Sequence, residues 1–134
     1  MAAGRLIKLQ DFTAEQARLW NASLPLSPAI NPAARPFLMG DAGALSQLRA
    51  SDCLTAAVYY EAAQESPVGQ QAVAQVVLNR LRHPAFPKTV CGVVFQGSER
   101  VTGCQFTFTC DGSLARAPSP LGWARARAVA DAAL

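Results

Sequence analysis

Ser66-Pro67 interrupts a stretch that is otherwise apolar and helical in period, CLTAAVYYEAAQESPVGQQAVAQVVLNRLR from Cys53 to Arg82. Serine as N-cap followed by proline at the first helical position begins a new helix. The stretch is therefore expected to fold as two helices meeting at a tight corner, and that corner carries Glu61 and Glu65. In the first helix, predicted to be capped by Ser51 or Asp52 and to end near Gln64, Leu54, Ala57, Val58 and Glu61 share one face, because positions three, four and seven apart stack. An ionised carboxylate closing an apolar stripe loses hydration, which favours its neutral form and prepares a general acid. A glutamate at a helix rim, reaching water or an arginine, is the plainer reading of that spacing alone.

In the second helix Gln71, Gln75, Asn79 and Arg82 form one polar stripe, while Ala72, Val73, Val76, Val77 and Leu81 fill most of the remainder, so the helix is expected to be largely buried. Pro84 and Pro87 end it, and the short VCGVVF segment that follows fits helix or strand equally. CQFTFTCDG then alternates, with Cys104, Phe106, Phe108 and Cys110 on one side, Gln105, Thr107 and Thr109 on the other, and Asp111-Gly112 as a turn. That pattern predicts a strand or small β-hairpin near 104–112. A final helix is predicted from about Pro120, with Trp123, Ala126 and Val129 or Ala130 inward.

Residues 1–50 differ in texture. Thr13 can cap a short helix over DFTAEQARLWN, after which prolines at 25, 28, 32 and 36 exclude regular helix. We read 1–50 as a proline-rich N-terminal arm that packs on the domain through residues such as Leu26, Ile30, Phe37, Leu38 and Met39. With 134 residues, 51% of them hydrophobic, the chain suits one core, here assigned to 51–134. The fold class is mainly α, or α+β, a helical bundle with the small strand element.

The charge is a mild +3, and its arginines are scattered, with no run dense enough to track a nucleic-acid backbone. A helical DNA-binding domain using QQAVAQVVLNRLR is accordingly disfavoured. No stretch has the roughly 18 apolar residues of a membrane span, so neither nucleic acid nor membrane insertion is expected, and nothing in the pattern sets an oligomeric state. Cys53, Cys91, Cys104 and Cys110 contain no CxxC pair, and His83 is the single histidine, so neither a metal site nor another cofactor is expected. The even cysteine count permits two disulfides and hence an oxidising compartment, although MAAGRLIKLQ lacks a signal-type apolar run; free thiols in the cytosol are the alternative.

CLTAAVYYEAAQESPVGQQAVAQVVLNRLRHPAFPKTVCGVVFQ and CQFTFTCDG together resemble the SleB/CwlJ family of bacterial cell-wall hydrolases, over about residues 51–131. The residues that carry the resemblance include Glu61-Ala62, Glu65, Gly69-Gln70, Val77-Leu78-Asn79-Arg80, Phe86-Pro87 and Gln105-Phe106. The resemblance implies a lysozyme-like fold, cleavage of peptidoglycan glycan strands between N-acetylmuramic acid and N-acetylglucosamine, and a catalytic role for Glu61. Family members continue past the point matching Leu134 into a Thr-His-Tyr-like stretch, so 51–134 is expected to be a catalytic domain truncated at its C-terminus.

A lytic transglycosylase needs one carboxylate as acid and then base, whereas a hydrolase uses two; Glu65 and Asp111 are the candidates for the second. Glu65 lies on the Glu61 face if the helix persists, or caps the corner instead, and Asp111 is more simply a turn residue. Tyr60, Gln105 and Phe106 are candidate substrate-binding residues, each with a structural alternative. Asn79 and Arg80 read as a polar tie between helices. A non-catalytic peptidoglycan-binding module is the competing function. The expected bridges are Cys53 to Cys91 and Cys104 to Cys110, in a periplasmic or other envelope compartment, with Cys53 joined to Cys104 or Cys110 as the alternative. A strand of six residues spans roughly 20 Å, whereas bridged cysteines need Cα atoms within about 7 Å; the second bridge therefore requires the apparent strand to bend.

Overall fold

The computed structural model describes residues 11–33 and 43–134. They belong to two compact units. In the first, Thr13 caps α1 (Ala14–Ser23) in a reciprocal capping box with Gln16, and Leu24 leaves the helix in extended conformation. Phe12 and Trp20 bring their rings to 5.9 Å within this unit. Of the arm, Phe37, Leu38, Met39 and the proline at 36 lie outside the described residues, as does MAAGRLIKLQ.

The second unit is built around α2 (Ala44–Ala62), which meets α3 (Pro67–Arg82), α4 (Val90–Val94) and α5 (Pro120–Ala133). Leu54, Ala57 and Val58 of α2 are fully buried, together with Ala74 and Val77 of α3, Val93 and Val94 of α4, and Ala126 and Ala130 of α5. Small residues at these crossings let the helices approach closely, and each buried Leu or Val contributes about 1.5–3 kcal/mol of transfer free energy. Ser66, Thr89 and Ser119 cap α3, α4 and α5, each accepting from the backbone amide three residues on; proline follows Ser66 as expected, and the same pair recurs at Ser119. The undecided VCGVVF segment is thus helical.

Three local expectations are corrected. Ser51 and Asp52 do not cap α2, which begins at Ala44; they lie inside it and are held by α5. Arg127 donates to the hydroxyl of Ser51 and to the carboxylate of Asp52, while Ser51 donates to Asp131. These partners satisfy polar groups that, read locally, resemble a cap. Secondly, α3 buries one face only: Ala74, Val77, Leu78 and Leu81 are buried, whereas Ala72 and Val76 are exposed.

Thirdly, the strand or β-hairpin near 104–112 is not seen, and the described residues contain no strand. Cys104 and Cys110 are bridged with Cα atoms 6.5 Å apart, and a 3-10 turn at Thr107–Thr109 folds the segment back. The alternation survives as burial: Cys104, Phe106 and Phe108 are buried, and Gln105 and Thr107 exposed. Period two recorded the two sides of a pinned loop and not a pleat. Gly112, with φ of 89°, takes the left-handed conformation that lets the chain leave this loop for a second 3-10 turn, Ser113–Ala115.

The other bridge joins Cys53 of α2 to Cys91 of α4, with Cα atoms 5.2 Å apart.

Candidate active site

The C-terminal end of α2 presents its last polar side chains beside an open cleft. α2 stops at Ala62, short of Gln64, and Ala63 to Ser66 turn the chain into α3. The corner is held from below by Gln70, which is buried and donates through Nε2 to the carbonyl of Ala62 at 3.2 Å. Periodicity overlooked this residue; an amide within the apolar first turns of α3 is the trace it leaves in the sequence.

Glu61 is exposed, and it makes no side-chain hydrogen bond or ion pair among the described residues. The Leu54 and Val58 stripe is buried as expected, but it ends one turn earlier, so this chain does not itself strip water from the carboxylate. The expected desolvation is corrected accordingly. Glu65 is exposed in the turn and not on a continued helical face. Its side chain lies along the first turn of α3, where a Cβ added to Gly69 would stand 3.0 Å from the Cβ of Glu65 and 3.7 Å from its Oε2. The amide of Gly69 itself is taken by Ser66, at 3.3 Å.

The cleft, about 380 Å³, is lined by Tyr59, Tyr60, Ala63, Gln64, Arg116 and Ala117. Its far wall, 116–119, is gripped by two consecutive tyrosines. The Tyr60 hydroxyl donates to the carbonyl of Arg116 at 3.2 Å, and the Tyr59 hydroxyl accepts from the amide of Ser119 at 2.9 Å. Both rings are braced in turn: Tyr60 stacks on Phe108 at 5.0 Å, and Tyr59 meets Trp123 at 5.7 Å. Gly122 permits that arrangement, since a Cβ there would stand 3.0 Å from the Tyr59 ring.

Other candidate residues fall elsewhere. Phe106 is buried at 8% exposure, so it offers no open ring face, and its ring lies 5.3 Å from the guanidinium of Arg80. Arg80 is also over Phe86 at 5.6 Å and donates to Oε1 of the exposed Gln105 at 3.5 Å. That cluster ties the end of α3 to the 105–106 loop, and none of Glu61, Gln105 and Phe106 is among the residues lining the cleft. Asn79 bonds within its own helix, accepting from Gln75. His83 caps the end of α3, with Nδ1 accepting from Ala85.

Asp111 is exposed in the turn, where Oδ1 accepts from the Ser113 amide at 2.8 Å. Hydrogen bonding to the Ser113 side chain and amide, with a smaller contribution from the charge of Arg116, holds its carboxyl below the usual aspartate value. No group of three or more His, Cys, Asp or Glu side chains is arranged to hold a metal among the described residues. No helix of the described residues is long and apolar enough to cross a membrane.

The profile of a family described as cell wall hydrolase matches residues 64–134, more than half of the chain. The chain belongs to the cell wall hydrolase family. The matched range covers α3, α4, the bridged loop, the Arg116 wall and α5, and it opens at Gln64, just after Glu61.

Among curated relatives, a spore cortex-lytic enzyme of Halalkalibacterium halodurans is 45% identical over 76 residues, which is 57% of this chain and 20% of the relative. One from Bacillus subtilis is 42% identical over 66 residues, 49% of this chain and 20% of the relative. One from Oceanobacillus iheyensis is 47% identical over 58 residues, 43% of this chain and 19% of the relative. The chain thus spans about a fifth of the length of the curated relatives it matches. No solved structure matches it. The resemblance to SleB/CwlJ hydrolases, read from the motifs, is borne out.

Proposed function

We propose that this chain cleaves the glycan strands of peptidoglycan between N-acetylmuramic acid and N-acetylglucosamine, as a lytic transglycosylase with Glu61 as acid and then base. The observation that carries this reading is the exposed carboxylate of Glu61, unpartnered among the described residues, in the last turn of α2, the turn whose residues Tyr59 and Tyr60 line a braced, open cleft. A strand bound along this end of α2 would exclude water from Glu61, supplying the desolvation that the protein alone does not. Protonated Glu61 gives its proton to the glycosidic oxygen as the bond from muramic C1 to that oxygen breaks. The resulting carboxylate takes the proton of the muramic 6-hydroxyl as O6 bonds to C1, leaving a 1,6-anhydro sugar, with no water consumed.

A single-carboxylate route fits the surroundings. Glu65 is turned along α3, and Asp111 is engaged by Ser113. A glutamate at the end of a buried central helix also supports reading 51–134 as a lysozyme-like domain, with 1–50 as its N-terminal arm. Two bridges favour work in the periplasm or elsewhere in the envelope. Mass spectrometry of muropeptides released from sacculi tests the function: anhydro ends are expected, reducing ends would mean hydrolysis, and sacculus binding without release would mean a binding module.

A further inference from the structure

Of the six residues lining the cleft, one is charged, and it is a cation. Arg116 forms no ion pair among the described residues, and its one side-chain hydrogen bond, from Nη2 to the Ser113 hydroxyl, is long at 3.4 Å. A guanidinium has five N–H donors in a fork suited to carboxylates, so most of its donors are available. Asp111, the acid whose carboxyl feels Arg116, is committed to the Ser113 turn.

The root of the side chain is held in place. The Arg116 carbonyl accepts from Tyr60, its amide donates to Ser113 at 3.0 Å, and Ser119 is tethered to Tyr59. Each tyrosine hydroxyl makes one hydrogen bond to the wall, and Gln64 and Arg116 are the other polar side chains of the cleft; Gln64 makes no side-chain hydrogen bond among the described residues. A pocket offering a guanidinium, a free amide and aromatic edges, with no acid in its lining, suits a carboxylate next to peptide amides better than a neutral sugar or a cation. Its volume, about 380 Å³, falls in the range of small-ligand sites.

Resting on the glycan-cleavage reading above, we propose that Arg116 and Gln64 bind a carboxylate of the peptide stem carried by N-acetylmuramic acid, so that the enzyme selects peptide-bearing strands over stripped ones. The stem leaves the same sugar whose C1 reacts at Glu61. A site for it therefore belongs near that glutamate, and this cleft is lined by the residues that flank Glu61 in sequence, Tyr59, Tyr60, Ala63 and Gln64.

The test is an NMR titration of the isotope-labelled chain with N-acetylmuramoyl-L-alanyl-D-glutamate and with the same compound carrying its carboxylates as amides. The acid should shift the amide signals of Tyr60, Gln64 and Arg116 and bind about tenfold more tightly than the amidated form, a difference worth about one factor of ten in Kd. Arg116→Ala should abolish the difference and Arg116→Lys should keep part of it; the side chain is exposed, and the carbonyl that Tyr60 uses remains. Equal affinity for the two compounds, a difference that survives Arg116→Ala, or no binding of the acid would overturn the proposal. Digestion of sacculi separates this outcome from the parent reading. Cleavage without acid preference sinks the stem site alone, whereas Arg116-dependent acid binding without cleavage upholds the stem site and sinks glycan cleavage.

Discussion

Tyr60 lies flat against Phe108, ring centroids 5.0 Å apart and planes inclined by 13°, while its hydroxyl reaches across to the Arg116 carbonyl. The bridged 104–110 loop, the end of α2 and the wall of the cleft are thereby joined through one side chain. Phe108→Ala should lower stability by about 3 kcal/mol, because it empties a site that is 3% exposed. Tyr60→Phe keeps the stack and loses only the hydrogen bond, for about 1 kcal/mol. Urea unfolding of the two variants checks the ranking; equal losses would show that the hydroxyl, and not the stack, holds the wall.

Glu61→Gln keeps size and removes the transferable proton. Since Glu61 is exposed and has no partner among the described residues, the melting temperature should be unchanged while muropeptide release falls by 10²-fold or more. Retention of over about a tenth of the activity would remove Glu61 from the acid role.

Helix starts were the most legible part of this chain, because a cap is a local event. Ser66-Pro67 and Ser119-Pro120 state in two residues where α3 and α5 begin. Ser51 and Asp52 use the same alphabet but are satisfied by Arg127 and Asp131, far along the chain, which no local window contains. Alternation around Phe106 and Phe108 identified which side chains are buried and misassigned the backbone, since a disulfide-closed loop sorts residues by side as a strand does. For Glu61, helical period located the face but not the end of the apolar cover. The cleft was invisible for a further reason: Tyr59, Tyr60, Arg116 and Ser119 come together only through the packing of α5 on α2.

Asp111→Asn separates one carboxylate from two. If the reaction uses Glu61 alone, the variant should release anhydro-muropeptides within about twofold of the parent rate, against losses of 10²-fold for a true acid or base. Its effect on folding has a definite sign. A carboxyl held lower in the folded than in the unfolded chain contributes stability above the ordinary aspartate value, near pH 4, and that contribution is lost as pH falls through the folded value. Parent and variant melting temperatures should thus differ slightly at neutral pH and converge in strong acid. A gap that widened on acidification would contradict the Ser113 hydrogen bonds as its cause.

The two disulfides should contribute unequally. Cys53 and Cys91 are separated by 38 positions and join α2 to α4, whereas Cys104 and Cys110 are separated by 6 and close one loop. In the chain-entropy model the stabilisation grows with the logarithm of loop length, giving about 4 kcal/mol for the long bridge and about 2 kcal/mol for the short one. Serine pairs replacing each bridge should reproduce that order in urea unfolding. Function should follow the reverse order, because the short loop carries Phe108 and thus braces Tyr60, while the long bridge meets α2 well before Glu61. Measured at a temperature where both variants stay folded, muropeptide release should fall more on loss of Cys104–Cys110 than of Cys53–Cys91. Equal activity in the two folded variants would show that the loop does not support the cleft, and free thiols in denatured protein prepared under oxidising conditions would refute the bridges themselves.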